Sequence, residues 1–280
     1  MHTAVTCHLR LVPAPADTGI VFRRTDLENF EVEAHGRNVA KVSYATSLMK
    51  RGVWLSTTEH LLAALYSCGI DNVYIEMDAL EVPILDGSAQ PFIEMLEQAG
   101  IRKLRKRRKY LKVLKAVEHA DSGGRKIGIY PADEFRVRCF VDFAHPKVGQ
   151  QEVELKVNRE TFTHLLARAR TFCFLDDVER LRAVGLIRGG SLENAIVLTK
   201  DGIMNGELRY PDEFGRHKAL DLIGDFALVG RPLKGLVVAH KAGHALHTAL
   251  VQKLLADRTA WAEAYDEAAV EADAALAPAD

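Results

Sequence analysis

Val5, Cys7, Leu9 and Leu11 alternate with Thr6, His8 and Arg10. That two-residue period predicts a strand with one buried face, and Pro13 and Pro15 end it. Shorter strands are predicted over residues 19–24 and within 39–55. From Ser56 to Ser67 the period lengthens, placing Leu61, Leu62 and Leu65 on one face of a helix that Gly69 closes. Residues 71–77 return to a strand, and beyond the loop ILDGSAQP a second helix is expected over 92–98, closed by Gly100. The second half predicts strands at 110–116, 126–130, 135–143, 195–199 and 235–239. Helices are predicted there at 161–168, 178–185, 214–229 and 244–257. The Ala-, Glu- and Asp-rich residues 258–280 read as an exposed helix or tail that frays. The first half is thus a mixed sheet with two helices, and the second repeats that plan loosely without a repeat in sequence.

Composition changes most sharply at residues 102–109, where Arg102, Lys103, Arg105, Lys106, Arg107, Arg108 and Lys109 are interrupted only by Leu104. The run predicts an exposed linker between residues 1–101 and 110–257. A nucleic-acid interface is not expected, because no aromatic residue interleaves the run. Nor is there an overall basic field, since 37 Lys and Arg face 38 Asp and Glu for a net charge of -1. With 280 residues, 48% of them hydrophobic, the chain can bury a sizeable core without disulfides. Cys7, Cys68, Cys139 and Cys173 are far apart and form no CxxC pair, as expected for reduced thiols in a cytoplasm. No apolar run reaches the roughly 18 residues of a spanning helix, and the first residues lack the layout of a signal peptide. A cytoplasmic monomer without stable membrane insertion is the expectation.

Three clusters carry candidate chemistry. In GRHKALDLIGDFAL, His217, Asp221 and Asp225 stand at i, i+4 and i+8, on one helix face within about 12 Å of rise. Leu220, Ile223, Phe226 and Ala227 can fill the core face beside them. An imidazole and a carboxylate one turn apart suit Zn²⁺ if further ligands come from elsewhere, and equally suit a surface hydrogen bond. Ser56-Thr57-Thr58-Glu59-His60 has the S-x-x-E spacing of a capping box. The same residues could offer His60 as a ligand and Glu59 as acceptor of a proton from metal-bound water. In HKAGHALH, His240, His244 and His247 could offer a competing metal pair, but Gly243 is expected to separate a strand end at His240 from a helix that His244 opens, with His247 one turn on. The helix dipole there disfavours an imidazolium unless a carboxylate offsets it, and Asp225 is a candidate for that carboxylate.

TTEHLLAAL, ILDGSAQPF, RARTF, GGSLENAIV, RHKALDLIGD and KAGHAL, in this order, closely resemble the UDP-3-O-acyl-N-acetylglucosamine deacetylases, the zinc amidases that commit lipid A synthesis. The likeness runs from about residue 2 to 255. It implies an α+β fold of two domains, each a small sheet layered with a pair of helices, packed together with the active site between them. It implies zinc ligands at His60, His217 and Asp221 with a fourth position open, a set that also accepts Fe²⁺. Glu59 is implied as general base, His244 as leaving-group acid paired with Asp225, and Thr171 as a partner in holding the oxyanion. Phe172 and Lys218 are implied in substrate contacts. Residues 174–190 resemble an insert that forms an acyl-chain passage, to which Leu175, Val178, Leu181, Val184, Leu186 and Ile187 could supply apolar surface or else join the core. The implied reaction releases acetate from UDP-3-O-(3-hydroxyacyl)-N-acetylglucosamine, with a bell-shaped pH profile. Members of the family open on a further strand and a G-x-G-L-H-[ST]-G turn. Only His2 and Thr3 match that turn, and Ala4 stands at its last glycine, so a natural start upstream of Met1 is expected. The competing reading is a catalytically weakened nucleotide-sugar binder.

Overall fold

The structure is a computed structural model that describes residues 1–40, 42 and 44–265. Ahead of the basic run come β1 (Leu9–Pro13), β2 (Ile20–Arg24), β3 (Phe30–Glu33), β4 (Leu48–Lys50), β5 (Val53–Leu55), α1 (Glu59–Ser67), β6 (Val73–Met77) and α2 (Gln90–Ala99). After it come β7 (Lys109–Val113), β8 (Val117–Ala120), β9 (Lys126–Tyr130), β10 (Phe135–Phe143), β11 (Gly149–Lys156), α3 (Arg159–Leu165), β12 (Phe172–Phe174), α4 (Leu175–Ala183), β13 (Ile196–Leu198), α5 (Glu213–Phe226), β14 (Leu233–His240), α6 (His244–Ala256) and β15 (Trp261–Tyr265).

The first half is built on a four-stranded mixed sheet of order β1-β6-β2-β3, with β2 and β6 parallel and the outer pairs antiparallel. Alternation sends Val73, Ile75 and Met77 of β6 inward, where they join Phe22, Val32, Leu61, Leu62 and Leu65 in the core. A one-sided apolar face was expected of α1, yet every residue of it except Tyr66 is buried. The helix is enclosed because α2 and α5 both pack on it. The Tyr66 hydroxyl accepts the Leu233 N–H at 2.7 Å, joining α1 to β14.

The second half is a seven-stranded sheet that orders β11-β10-β14-β7-β15. One edge of β14 is shared: Leu233 and Lys234 pair in parallel with β7, and residues 236–240 pair antiparallel with β9. α5 packs on β10 and β11, and α6 packs on β8 and β9. α5 also meets α1, so one continuous core contains Leu61 and Leu65 together with Leu220, Ile223 and Phe226. The architecture is mixed α+β.

Three expectations are corrected. Residues 261–265 form strand β15 against β7, with Trp261 opposite Val113, rather than the start of a helix. Ala260 and Trp261 are buried, and β7 offers them an unpaired edge; residues 266–280 of the expected tail lie outside the described residues. The first strand begins at Leu9 rather than Val5, whose side chain is exposed, and the ladder to β6 ends at Met77. The helix expected from Val178 starts at Leu175. The basic run is exposed from Arg102 to Arg107, while Lys106 pairs with Asp17 and Arg108 grips Asp71 at 2.8 to 3.0 Å.

Glu81 secures the chain ahead of β1. Its carboxylate accepts the N–H groups of His2 and Thr3 and the Thr3 hydroxyl, each at 2.7 Å, and the Thr57 hydroxyl at 3.1 Å. Burial works against the charge, but the donors of His2 and Thr3 and the Met1 ammonium outweigh it and hold the carboxyl down at about 2 against an ordinary 4.5. A folded value below the unfolded one adds stability that is complete above the ordinary value and is lost as pH falls toward the folded value. Glu81→Gln is therefore expected to be less stable than wild type by about 2–3 kcal/mol near neutral pH. That gap closes as the pH approaches the folded value, and urea unfolding across a pH series checks it. A gap independent of pH contradicts the assignment.

Candidate active site

α5 presents His217 and Asp221 one turn apart, and His217 Nε2 lies 3.3 Å from Asp221 Oδ1. His60, at the start of α1, brings its Nε2 to 3.5 Å from the same oxygen. The two imidazoles meet edge to face, with centroids 5.0 Å apart. All three side chains are buried. Gly224, on the same helix, allows this approach: a Cβ there would stand 2.0 Å from the Glu59 carbonyl oxygen. The capping box that the Ser56 to Glu59 spacing allows does not form. Thr58 is the N-cap and makes no side-chain cap, whereas the Glu59 carboxylate turns inward and accepts the Thr46 N–H at 3.1 Å. Just before it, Thr57 has φ +60, a left-handed conformation that is costly for a β-branched residue.

One turn beyond Asp221, Asp225 Oδ2 accepts Nδ1 hydrogen bonds from His244 and His247, both at 2.8 Å. Its Oδ1 accepts the Thr46 hydroxyl. His244 Nε2 then faces the other group, 3.7 Å from Asp221 Oδ2 and 3.9 Å from Glu59 Oε1. Burial disfavours a charged His244, but the carboxylates of Asp225, Asp221 and Glu59 outweigh it and push the imidazole up to about 9. Burial pushes Glu59 up, with His244 and His60 opposing, and pushes His217 down to about 3, so His217 is neutral with a nitrogen lone pair to offer. Asp221 resists the same burial and stays well below the carboxylate range, because His217, Lys218 and His244 surround it.

The RARTF segment crosses beside these groups. Ala169 accepts from His217 Nδ1 at 3.1 Å, which directs Nε2 toward Asp221. Arg170 is clamped by the fully buried Glu213, which takes its N–H at 3.0 Å and its Nε at 2.9 Å. Thr171 is held by backbone bonds to Gly87 and Ile196 at 2.8 Å, and its hydroxyl has no partner among the described residues. Phe172 packs edge to face on His217, 6.2 Å between centroids, with the Lys218 ammonium 5.6 Å from its ring centroid. Lys218 Nζ also donates to Asp221 Oδ2 at 2.8 Å. Gly87, at φ +84, lets the ILDGSAQPF loop touch GGSLENAIV: a Cβ there would stand 2.2 Å from Asn194 O. In the insert, Leu181 and Ile187 are buried, Val178 and Leu186 are half-buried, and Leu175 and Val184 are exposed, the last by 68%.

Among the described residues, two clusters could hold a cation by composition: His60, His217 and Asp221, and Asp225, His244 and His247. In the second, both imidazoles spend Nδ1 on Asp225, whose other oxygen is taken by Thr46. The first fits a metal ion. Asp221 Oδ1 is buried and accepts no hydrogen bond, although two imidazole nitrogens face it. Tetrahedral ligands about 2.0–2.1 Å from zinc stand about 3.3–3.4 Å apart, close to the 3.3 and 3.5 Å found here. His240 belongs to neither cluster; it stacks on Phe140, 4.8 Å between centroids. Neither Thr46, a lone threonine within the 39–55 stretch where strands are expected, nor Glu213, an isolated acid at a helix start, carries a sequence signal of its own.

A buried set of two imidazoles and a carboxylate, flanked by a further carboxylate and imidazole on an α+β scaffold, defines a metal-dependent hydrolase class. Residues 1–256 match the family model of the UDP-3-O-acyl N-acetylglycosamine deacetylases, LpxC, and the chain belongs to that family. It is similar to the UDP-3-O-acyl-N-acetylglucosamine deacetylase of Solibacter usitatus, 52% identical over 92% of this chain and 87% of the relative. The enzymes of the same name from Anaeromyxobacter dehalogenans and Myxococcus xanthus are 47% and 46% identical over 93% and 92% of this chain, and 84% and 82% of theirs. No helix among the described residues is long and apolar enough to cross a membrane.

Proposed function

We propose that the chain is a zinc-dependent deacetylase that hydrolyses the N-acetyl group of UDP-3-O-(3-hydroxyacyl)-N-acetylglucosamine, releasing acetate and a free amine in the committed step of lipid A biosynthesis. The observation that carries this is the orphaned Asp221 Oδ1 facing His60 and His217, with Glu59 and His244 beside it. The three donors hold the metal, Zn²⁺ or Fe²⁺. Bound there, it would supply Lewis acidity that lowers the pKa of a water and polarises the amide oxygen. Glu59 serves as the proton acceptor for the attacking water: Thr46 holds Oε2, and Oε1 is turned toward His244. His244 gives its Nε2 proton to the leaving amine while Asp225 anchors Nδ1. The unpartnered Thr171 hydroxyl donates to the oxyanion, and Lys218 and Phe172 contact the substrate. Residues 1–101 and 110–257 serve as two domains around the site, joined by the run 102–109, and the insert at 174–190 guides the acyl chain. The protein acts as a cytoplasmic monomer, without nucleic acid and without stable membrane insertion.

The test is acetate release by the purified chain before and after chelation. Activity should vanish with the metal and return with about one zinc per chain. Substituting ferrous ion in the same assay compares the two metals. A folded, metal-loaded chain that releases no acetate refutes the proposal.

A further inference from the structure

We infer that Thr46 is a positioning residue that sets both the proton acceptor Glu59 and the proton donor His244, an inference that rests on the roles proposed for those two groups. Thr46 is fully buried in the segment before β4, and it touches the beginning of α1, the end of α5 and the beginning of α6. Its N–H donates to Glu59 Oε2 at 3.1 Å, which fixes one carboxylate oxygen and leaves Oε1 toward His244. Its hydroxyl donates to Asp225 Oδ1. With that proton spent, the hydroxyl oxygen can only accept from His244 Nδ1, 3.2 Å away. The His244 Nδ1 proton is therefore flanked by Asp225 Oδ2 at 2.8 Å and Thr46 Oγ1, and the ring is held with Nε2 toward the site. Thr46 is itself braced, because its carbonyl accepts both the N–H and the hydroxyl of Thr58 at 3.3 Å. One residue thus sets the relative placement of two groups carried on different helices, and misplacement of reacting groups by about 1 Å can cost a hundredfold in rate.

The experiment compares Thr46→Val, which keeps shape and the N–H but loses the hydroxyl, with Thr46→Ser, which keeps the N–H and the hydroxyl but loses the methyl. In zinc-loaded protein, Thr46→Val should lose about tenfold to a hundredfold in kcat with KM within about twofold, whereas Thr46→Ser should stay within about threefold of wild type. Proton NMR supplies a readout independent of turnover. The His244 Nδ1 proton, assigned by its absence in His244→Gln, should be visible in wild type and Thr46→Ser and broadened by exchange in Thr46→Val. Wild-type kcat with an intact Nδ1 signal in Thr46→Val overturns the inference, as does equal impairment of the serine variant, which would assign the effect to the methyl group. If Thr46→Val does not fold, Thr46→Ala takes its place. Failure of both to fold while Thr46→Ser folds overturns the inference in favour of a purely structural role. An inactive wild type defeats the proposed function instead, and the Nδ1 signal then decides Thr46 alone.

Discussion

Glu59→Gln is expected to lower the rate of acetate release by about a hundred- to ten-thousandfold while metal content and folding are kept. The amide preserves the length of the side chain, and its oxygen can still accept the Thr46 N–H. What it cannot do is take a proton from water. Stability should not fall, because burial already opposes the charge on Glu59 and a neutral isostere removes that opposition. His60, the adjacent residue, keeps its place because the two side chains diverge by about 100° around the helix. Turnover, metal analysis and thermal unfolding on one preparation give the three readings required. A metal-loaded Glu59→Gln that works within tenfold of wild type removes Glu59 from the mechanism.

Gly224→Ala is expected to cost about 3 kcal/mol or more and to loosen metal binding at the same time. Its Cβ would meet Glu59 O at 2.0 Å, Glu59 C at 2.8 Å and Glu59 Cα at 3.0 Å. These are backbone atoms of a buried helix, so no side chain can swing aside, and α1 and α5 must separate. That separation would draw His60 away from His217 and Asp221, which sit on the other helix. Stability and zinc affinity should therefore fall together, a coupling that a cavity or surface mutation would not produce. Unfolding by urea and zinc titration measure the two. A variant within 1 kcal/mol of wild type that binds zinc normally would show that the two helices tolerate a wider spacing.

Local pattern accounted for the elements that are self-contained. β9 and β10 fall where alternation predicted them, and α6 starts at His244 behind Gly243. β11 was not visible, because Val153 and Leu155 are its only large apolar residues, and Gln150, Glu152, Glu154 and Lys156 face solvent. β15 was hidden by alanine and glutamate, whose helical preference yields to pairing with β7. The Ser56 to Glu59 spacing was compatible with a capping box and with a catalytic carboxylate. The box does not form because the Glu59 carboxylate turns inward, where it accepts the Thr46 N–H.

By itself, the sequence determined that His217, Asp221 and Asp225 share a face, since the helical period is set by local backbone geometry and needs no partner. It also contained the six ordered motifs that carry the family resemblance. The tertiary structure alone decided that His60 reaches Asp221, that Asp225 serves two imidazoles and Thr46 together, and that Asp221 Oδ1 is left without a donor. Those contacts join residues up to 179 positions apart. They depend on how closely α1, α5 and α6 pack, and that closeness rests on the absence of a single Cβ at Gly224 and the shape of a buried core, which no local period encodes.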